Sequence, residues 1–216
     1  DVVTGLYASG WTPSPGHSMV QDASTWPRLE KYVKDLLTTF GQDHRVWVWD
    51  LYNEPTVALK GALVQKVFEW ARTVNPSQPL TVDKFEAQLN QFLWENNDIN
   101  TFHNYSPSEQ LQGEIIDLLK QGRPVICTEW LNRAIDSTVA KSLPVFREHQ
   151  VGAMHWGLVN GKTQTHLNWG HEAGQPDPKV WQHDIFRPDH TPYDPQEIEL
   201  FKQYIHRNQS QRKDAR

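Results

Sequence analysis

Apolar residues recur at helical spacing near the start of the chain. Six of them fall at i, i+3, i+4, i+7, i+8 and i+11, namely Leu29, Tyr32, Val33, Leu36, Leu37 and Phe40. This stripe is typical of an amphipathic helix with one face on a core. We predict that Ser24 or Thr25 caps the helix, that Pro27 lies in its first turn and that Gly41 ends it.

From residue 45 onward, short strand candidates alternate with amphipathic helices. Strands are predicted over residues 45–50, 79–83, 98–103, 123–129 and 151–156. Helices are predicted over residues 60–73, 86–94, 109–120 and 138–149, with a last helix from Pro195 to about Arg207 after a Gly-, Pro-, Asp- and His-rich stretch. Such alternation predicts right-handed βαβ units around a parallel sheet. The pattern contains no internal repeat and no linker that would divide the chain.

Composition narrows the classes of function. The 216 residues carry 21 Lys and Arg against 26 Asp and Glu, a formal charge of −5, so nucleic-acid binding is not expected. No apolar run approaches the roughly 18 residues of a membrane-spanning helix. The single cysteine, Cys127, excludes an internal disulfide and a cysteine-based zinc site, and we interpret it as a small buried side chain. Ten Trp, eight Phe and six Tyr favour a site that stacks flat ligands or an unusual core.

Polar and aromatic residues stand at the ends of nearly all the predicted strands. In a parallel α/β fold the ligand site lies beyond the carboxyl ends of the strands. The residues at these positions are Asn53, Glu54, Asp83, His103, Tyr105, Glu129, Trp130 and Trp156. Together they could hold a hydroxylated ligand, although Asp83 could equally be a helix cap. Trp47 and Trp49 fall within a strand and are interpreted as packing residues.

Two glutamates in this set suggest a catalytic pair. Retaining hydrolysis of a glycosidic bond needs two carboxyl groups about 5–5.5 Å apart across the scissile bond. One attacks the anomeric carbon, while the other donates a proton to the leaving oxygen and then acts as a base toward water. Glu54 and Glu129 are separated by 75 positions, and strand ends of a closed parallel sheet can bring such residues together.

Two motifs carry a resemblance to a known family. The stretch Trp49-Asp-Leu-Tyr-Asn-Glu-Pro55 resembles the fourth-strand motif of clan A glycoside hydrolases, particularly the family 5 cellulase-like enzymes. The resemblance implies that Glu54 is the acid/base and that Asn53 contacts the sugar 2-hydroxyl. The stretch Val125-Ile-Cys-Thr-Glu-Trp130 resembles the seventh strand of these enzymes and implies that Glu129 is the nucleophile.

Two further matches extend the resemblance, which covers about residues 45–205. His103 and Tyr105, in Phe-His-Asn-Tyr-Ser-Pro, are similar to the sixth-strand His-x-Tyr. This implies that His103 holds the sugar and that Tyr105 hydrogen-bonds to the nucleophile Glu129, with a plain structural hydrogen bond as the alternative for Tyr105. Trp156 matches the eighth-strand Trp that forms a sugar platform, although Trp also fills the barrel core in this fold.

The implied fold is α/β, a TIM (β/α)8 barrel of which this chain covers about strands four to eight. One catalytic-domain portion would span residues 1–216, with a loop and helix over 1–44, strands four to eight over 45–207 and a polar tail over 208–216. A βα unit takes about 30 residues, so the residues before Arg45 are too few for three units. We therefore expect strands one to three to be missing. The loop after strand three would then place Trp11 near the substrate.

The histidine-rich stretch after residue 155 admits several interpretations. Asn160, Lys162, Gln164, His166, Asn168 and Trp169 form either a sugar-binding loop with one more stacking residue or an ordinary hydrophilic loop. The histidines there also suggest a metal site. However, no pair has the i, i+4 spacing of a helical zinc motif and no strand carries two on one face, so no metal is predicted.

The sequence thus predicts a retaining glycoside hydrolase that acts on β-linked glycosides or polysaccharides without a cofactor. Its expected partner is a carbohydrate, with no nucleic acid and no membrane. One alternative is a non-catalytic carbohydrate-binding remnant. Another is a half-barrel subunit completed by an N-terminal segment or a second chain, because five parallel strands leave two open edges. A single cysteine fits several compartments, and a secreted or periplasmic location is slightly favoured over a cytoplasmic one.

Overall fold

A computed structural model of the chain describes residues 2–214, with the side chains of residues 57–60 and 206–214 outside the description. The helices of the described part are α1 His17–Gln21, α2 Trp26–Phe40, α3 Val57–Val74, α4 Asn90–Asn96, α5 Ser108–Leu119, α6 Val139–Glu148 and α7 Pro195–Asp214. The strands are β1 Trp49–Asp50, β2 Leu80–Thr81, β3 Asn100–His103, β4 Val125–Glu129 and β5 Gly152–Ala153. Their order confirms the predicted alternation of strands and helices.

The described residues fall into two compact units. We name each unit after the predicted catalytic glutamate that it contains. The Glu54 unit comprises residues 12–103 and 118–126, and the Glu129 unit comprises residues 2–11, 104–117 and 127–214.

The Glu54 unit is built on helices packed against short parallel strands. β1 and β2 are parallel, with Trp49 opposite Leu80 and Asp50 opposite Thr81. β3 pairs with the start of β4, where the Asn100 N–H donates to the Pro124 carbonyl over 2.8 Å. The core of the unit is made of Leu37, Val64, Phe68, Ala71, Leu80, Val82, Leu89 and Leu93.

The first predicted helix is present with Thr25 as its N-cap residue, one of the two predicted, but the Thr25 side chain does not make the capping bond. α2 carries Pro27 in its first turn and ends against Gly41, as predicted. Thr25 makes no side-chain cap. Instead, Asp22 accepts a hydrogen bond from the Ser24 N–H and caps a short 3-10 helix that precedes α2. The side-chain capping bond is therefore made at the start of the 3-10 helix and not at the start of α2.

The Glu129 unit centres on the second half of β4. This segment pairs with β5, since the Met154 N–H donates to the Cys127 carbonyl over 2.8 Å. Cys127 is fully buried, as predicted. Trp130 is also buried and packs against Phe146 of α6 and Phe201 of α7.

Several boundaries differ from the predicted ones. Residues 45–48 lie outside β1, and Trp47, predicted to pack, is 77% exposed. The helix predicted to start at Glu86 begins as a 3-10 turn over Ala87–Leu89 and becomes α4 only at Asn90. α7 continues to Asp214, past the predicted end near Arg207, because no Gly or Pro interrupts its last turns. None of the helices in the described part of the chain is long and apolar enough to cross a membrane.

Candidate active site

Glu54 lies four residues beyond β1 and is held in an unusual backbone conformation. Its φ is +44°, in the left-handed region that non-glycine residues rarely occupy. Residues held in this conformation are found most often at functional sites. The Glu54 N–H donates to Asp83 Oδ1 over 2.8 Å. This bond to a buried carboxyl group fixes the backbone of Glu54, and it corrects the interpretation of Asp83 as a helix cap.

His103 lies directly beside Glu54. Its Nδ1 is 2.9 Å from Glu54 Oε1 and 3.9 Å from Asp83 Oδ2. The His103 side chain is only 5% exposed, whereas the Glu54 side chain is 35% exposed. Glu54 therefore presents its carboxyl group to solvent while His103 supports it from inside the Glu54 unit.

Burial controls the charge of Asp83. Desolvation raises the pKa of its carboxyl group, and the nearby His103 partly offsets this rise. Asp83 is fully buried, and its Oδ2 has no hydrogen-bond partner among the described residues. A buried carboxyl group that is easily protonated can exchange a proton with an adjacent imidazole.

Asn53 differs from the other predicted members of this group. It is exposed and directly precedes Glu54, three residues beyond β1. This position leaves its amide free to meet a ligand hydroxyl group, the contact that the resemblance implies.

Glu129 ends β4 and accepts a hydrogen bond from Tyr105. The Tyr105 hydroxyl donates to Glu129 Oε2 over 2.6 Å, the contact that the resemblance implied. The Asn104 N–H also donates to the Glu129 carbonyl over 2.9 Å. Side chain and backbone of Glu129 are thus fixed by the same two-residue segment. A short bond to a carboxylate favours its ionised form and one rotamer.

The predicted aromatic residues of the Glu129 unit come together. Trp11 contacts Trp156 edge to face, with ring centres 5.5 Å apart at 85°. Trp169 contacts Tyr105 in the same way at 5.1 Å and 84°. Trp11 and Trp169 are 48% and 50% exposed. Half-exposed indoles supported from behind are the kind of surface on which a sugar ring packs.

Tyr7 belongs to this aromatic group and was missed by the sequence analysis. Its ring centre is 6.1 Å from that of Trp11 and 6.0 Å from that of His183. Burial raises the pKa of its phenol, and the nearby indoles of Trp169 and Trp156 partly offset this rise. The sequence offers no periodic signal for Tyr7, which lies in an irregular segment rich in glycine.

The loop after β5 is only partly the polar surface that was predicted. Gln164 is 7% exposed, and its amide bonds to Gly5, Val3 and Leu6 of the N-terminal segment. His166 is 6% exposed, whereas Lys162 is exposed. Gln164 and His166 are therefore buried residues of the loop, whereas Trp169 is half exposed.

Within either unit taken alone, the described side chains form no group of three His, Cys, Asp or Glu residues close enough to hold one ion. The two ring nitrogens of His171 lie 2.8 Å and 3.2 Å from the carbonyl oxygens of Gly5 and Pro176.

Solved structures resemble the chain at low sequence identity. XacCel5A in complex with cellopentaose has a TM-score of 0.59 at 15% identity, covering 89% of this chain and 70% of that one. The endo-β-1,4-mannanase from Thermotoga petrophila gives 0.59 at 18%, with 88% and 52% covered. Bacteroides uniformis β-glucuronidase 2, covalently bound to cyclophellitol-6-carboxylate aziridine, gives 0.60 at 14%. It covers 79% of this chain and 25% of that one.

These similarities establish the fold. The chain spans between a quarter and about a third of the length of the β-glucuronidases that it matches. Its fold class is α/β, an incomplete (β/α)8 barrel, as the sequence predicted. No curated protein sequence matches the chain significantly.

The sequence itself matches one family. The profile of the cellulases, glycosyl hydrolase family 5, matches residues 8–173, more than three quarters of the chain. The match contains β1 to β5, Glu54 with its neighbours Asp83 and His103, and Glu129 with Tyr105. The chain therefore belongs to the cellulase family, glycosyl hydrolase family 5.

Proposed function

We propose that this protein is a retaining glycoside hydrolase that cleaves β-linked glycosides or polysaccharides by double displacement. The observation that carries the proposal is the 2.6 Å hydrogen bond from the Tyr105 hydroxyl to Glu129 Oε2. In this proposal the Glu129 carboxylate attacks the anomeric carbon. The bond also holds the carboxylate in one orientation, as a nucleophile requires.

Glu54 is the acid/base in this proposal. It protonates the departing glycosidic oxygen, which completes the glycosyl ester on Glu129, and then removes a proton from the water that hydrolyses this ester. The nearby His103 Nδ1 can bond to Glu54 in either protonation state, by donating to the carboxylate or by accepting from the acid. The backbone of Glu54 stays fixed by Asp83 through both steps.

The aromatic group of the Glu129 unit supports a sugar as substrate. Trp156, in edge-to-face contact with Trp11, and Trp169, in edge-to-face contact with Tyr105, offer flat apolar surfaces in the same unit as the proposed nucleophile. XacCel5A, which shares the fold, was solved with cellopentaose. We therefore propose a β-1,4-linked hexose oligomer as the first substrate to test. Asn53 and His103 are the further proposed contacts to the sugar.

Double displacement sets a geometric requirement. The carboxyl groups of Glu54 and Glu129 must stand about 5–5.5 Å apart across the bond, since a separation of about 6.5–9.5 Å would give inversion. The proposal therefore commits to a product of unchanged anomeric configuration.

The test is hydrolysis of an aryl β-cellobioside and of cellopentaose by the chain and by two variants, Glu129→Gln and Glu54→Gln. Each variant is expected to lose at least about a thousandfold in kcat/KM. Matched controls are Glu148→Gln in α6 and Glu69→Gln in α3, two exposed glutamates, which should keep full activity. Turnover by Glu129→Gln close to that of the wild type would contradict the proposal.

A second candidate function is carbohydrate binding without hydrolysis. The observation that favours it is that Trp11, Trp156, Trp169 and Tyr105 all lie within one compact unit, with two of the indoles half exposed. Calorimetric binding of cellopentaose without release of shorter sugars over days would support this second function over the first.

A further inference from the structure

A short buried segment, Gln182–Asp184, lies behind the aromatic group of the Glu129 unit. Gln182, His183 and Asp184 are each at most 1% exposed, and none of them has a role in the mechanism above. His183 lies 54 residues after Glu129 in sequence, yet its ring reaches the backbone two positions beyond that glutamate. Its Nδ1 bonds to the carbonyl of Leu131.

The partners of His183 fix one tautomer of its ring. The Leu131 carbonyl can only accept, so Nδ1 carries the proton. At the other nitrogen, Gln182 Nε2 lies 2.6 Å from His183 Nε2. An amide nitrogen can only donate, so Nε2 accepts.

The orientation of the Gln182 amide has independent support. The Trp169 backbone N–H donates to Gln182 Oε1 over 2.7 Å, which places the amide oxygen on the side of Trp169 and the NH2 group on the side of His183. A continuous chain of hydrogen bonds therefore connects the Leu131 carbonyl, the His183 ring, the Gln182 amide and the Trp169 backbone N–H. Burial lowers the pKa of His183 to about 4, in keeping with a ring that accepts at one nitrogen.

The same imidazole also packs against three aromatic rings. The centre of its ring is 5.3 Å from Tyr105, 5.7 Å from Trp169 and 6.0 Å from Tyr7. Tyr105 donates to Glu129 and packs against Trp169, and Tyr7 packs against Trp11. His183 thus contacts the side chain that bonds to Glu129 and one of the half-exposed indoles.

Gly157 provides a separate sign that this packing is specific. It directly follows Trp156 and has a φ of +81°. A Cβ at this position would lie 2.7 Å from His183 Cβ and 2.8 Å from Asp184 Oδ1. The backbone after Trp156 therefore approaches the segment so closely that only glycine fits.

We propose that His183 is a positioning residue: through its bonds to Leu131 and Gln182 and its ring contacts, it holds Tyr105 and Trp169 in place beside Glu129. It does not touch the reacting atoms. If His183 has this role, the proposed nucleophile Glu129 and the proposed sugar platform Trp169 depend on the same supporting residue. A change at His183 then alters the positions of both.

Nuclear magnetic resonance of the full chain labelled with 15N tests the structural part of this proposal without any activity. We expect His183 to be the Nδ1–H tautomer, with no protonation above about pH 5. We also expect the Trp169 backbone amide to be protected from hydrogen exchange, and to lose this protection in Gln182→Met, a variant of similar size without the amide. An Nε2–H tautomer, or an unchanged Trp169 amide in Gln182→Met, would overturn the proposal.

Kinetics test the positioning part, which rests on the proposed function. His183→Leu should lower kcat about tenfold to a hundredfold because Tyr105 and Glu129 lose their support, and Gln182→Met should mainly raise KM through Trp169. The control is Thr138→Ala, which removes the side-chain cap of α6 and lowers stability without touching the aromatic group. A folded His183→Leu with wild-type kinetics would overturn the proposal. A wild-type chain without hydrolysis would contradict the proposed function alone, and the resonance results would still decide on His183.

Discussion

The hydroxyl group of Tyr105 lies 2.6 Å from Oε2 of Glu129 and donates a hydrogen bond to it. Tyr105 is itself held from behind, because its ring contacts Trp169 and His183. One phenol therefore links the proposed nucleophile to a proposed sugar platform. Removing the hydroxyl group separates the chemical role of Tyr105 from its packing role, since the ring stays in place.

Tyr105→Phe is expected to lower kcat/KM for an aryl β-glycoside by about tenfold or more, the loss of a hydrogen bond to a charged group worth about 1.5–3 kcal/mol. The measurement is steady-state kinetics together with a thermal unfolding curve. Tyr32→Phe is the matched control, since Tyr32 is 64% exposed in the Glu54 unit and should show unchanged kinetics. Equal rates for Tyr105→Phe and the wild type would remove the role assigned to the phenol.

Trp169→Ala is expected to weaken the binding of cellopentaose about tenfold while leaving the unfolding midpoint nearly unchanged, because its half-exposed indole offers a flat face to a sugar ring. Titration calorimetry measures the affinity. Trp47→Ala is the control, since Trp47 is the more exposed residue at 77% but lies outside the aromatic group. If both variants bound the oligosaccharide like the wild type, Trp169 would not be a platform.

Asp83→Asn should change how stability depends on pH. Burial raises the pKa of Asp83, so the folded protein favours the protonated acid. Its stabilising contribution is fully present below the unfolded pKa of about 3.9 and is lost as the pH rises through the folded pKa. Relative to Asp83→Asn, which cannot ionise, the wild type is expected to lose unfolding free energy as the pH rises from about 4 to 7. Urea unfolding at several pH values gives the difference, and a constant difference would show that Asp83 has an ordinary pKa.

Arg133 and Glu197 form a nearly buried ion pair that ties the segment after β4 to α7. Arg133 Nη2 is 2.5 Å from Glu197 Oε2, and the two side chains are 5% and 10% exposed. Arg133→Met leaves a buried carboxylate without its partner and should cost about 3–5 kcal/mol of unfolding free energy. The double variant Arg133→Met/Glu197→Leu should recover much of this loss. Urea unfolding of the four proteins checks the cycle, and additive losses would contradict the coupling.

Local sequence patterns predicted some of the helices and some of the candidate site residues. The apolar stripe from Leu29 to Phe40 predicted α2 because the periodicity of a helix appears among residues that are close in sequence. The strand-end rule brought Glu54 and Glu129 into consideration because parallel strands place their carboxyl ends together. Such signals lie within about ten residues of the feature that they predict.

The remaining features depend on contacts between distant residues. The bond from Asp83 to the Glu54 backbone joins positions 29 apart, and the bond of His183 to Leu131 joins positions 52 apart. Neither hydrogen bond corresponds to a sequence pattern from which it could be predicted. Trp47 was predicted to pack because it stands among β-branched residues, but β1 begins only at Trp49, and the residues before it lie at the surface.

Capture of the glycosyl-enzyme intermediate is the most direct test of the central claim, that Glu129 is the nucleophile of a retaining glycoside hydrolase. The full chain is incubated with an activated 2-deoxy-2-fluoro β-cellobioside, and the labelled site is located by mass spectrometry of its peptides. We predict one added fluorosugar on Glu129, formed by the wild type and absent in Glu129→Gln. A label on another residue, or hydrolysis of the matching aryl β-cellobioside without any label, would contradict the account.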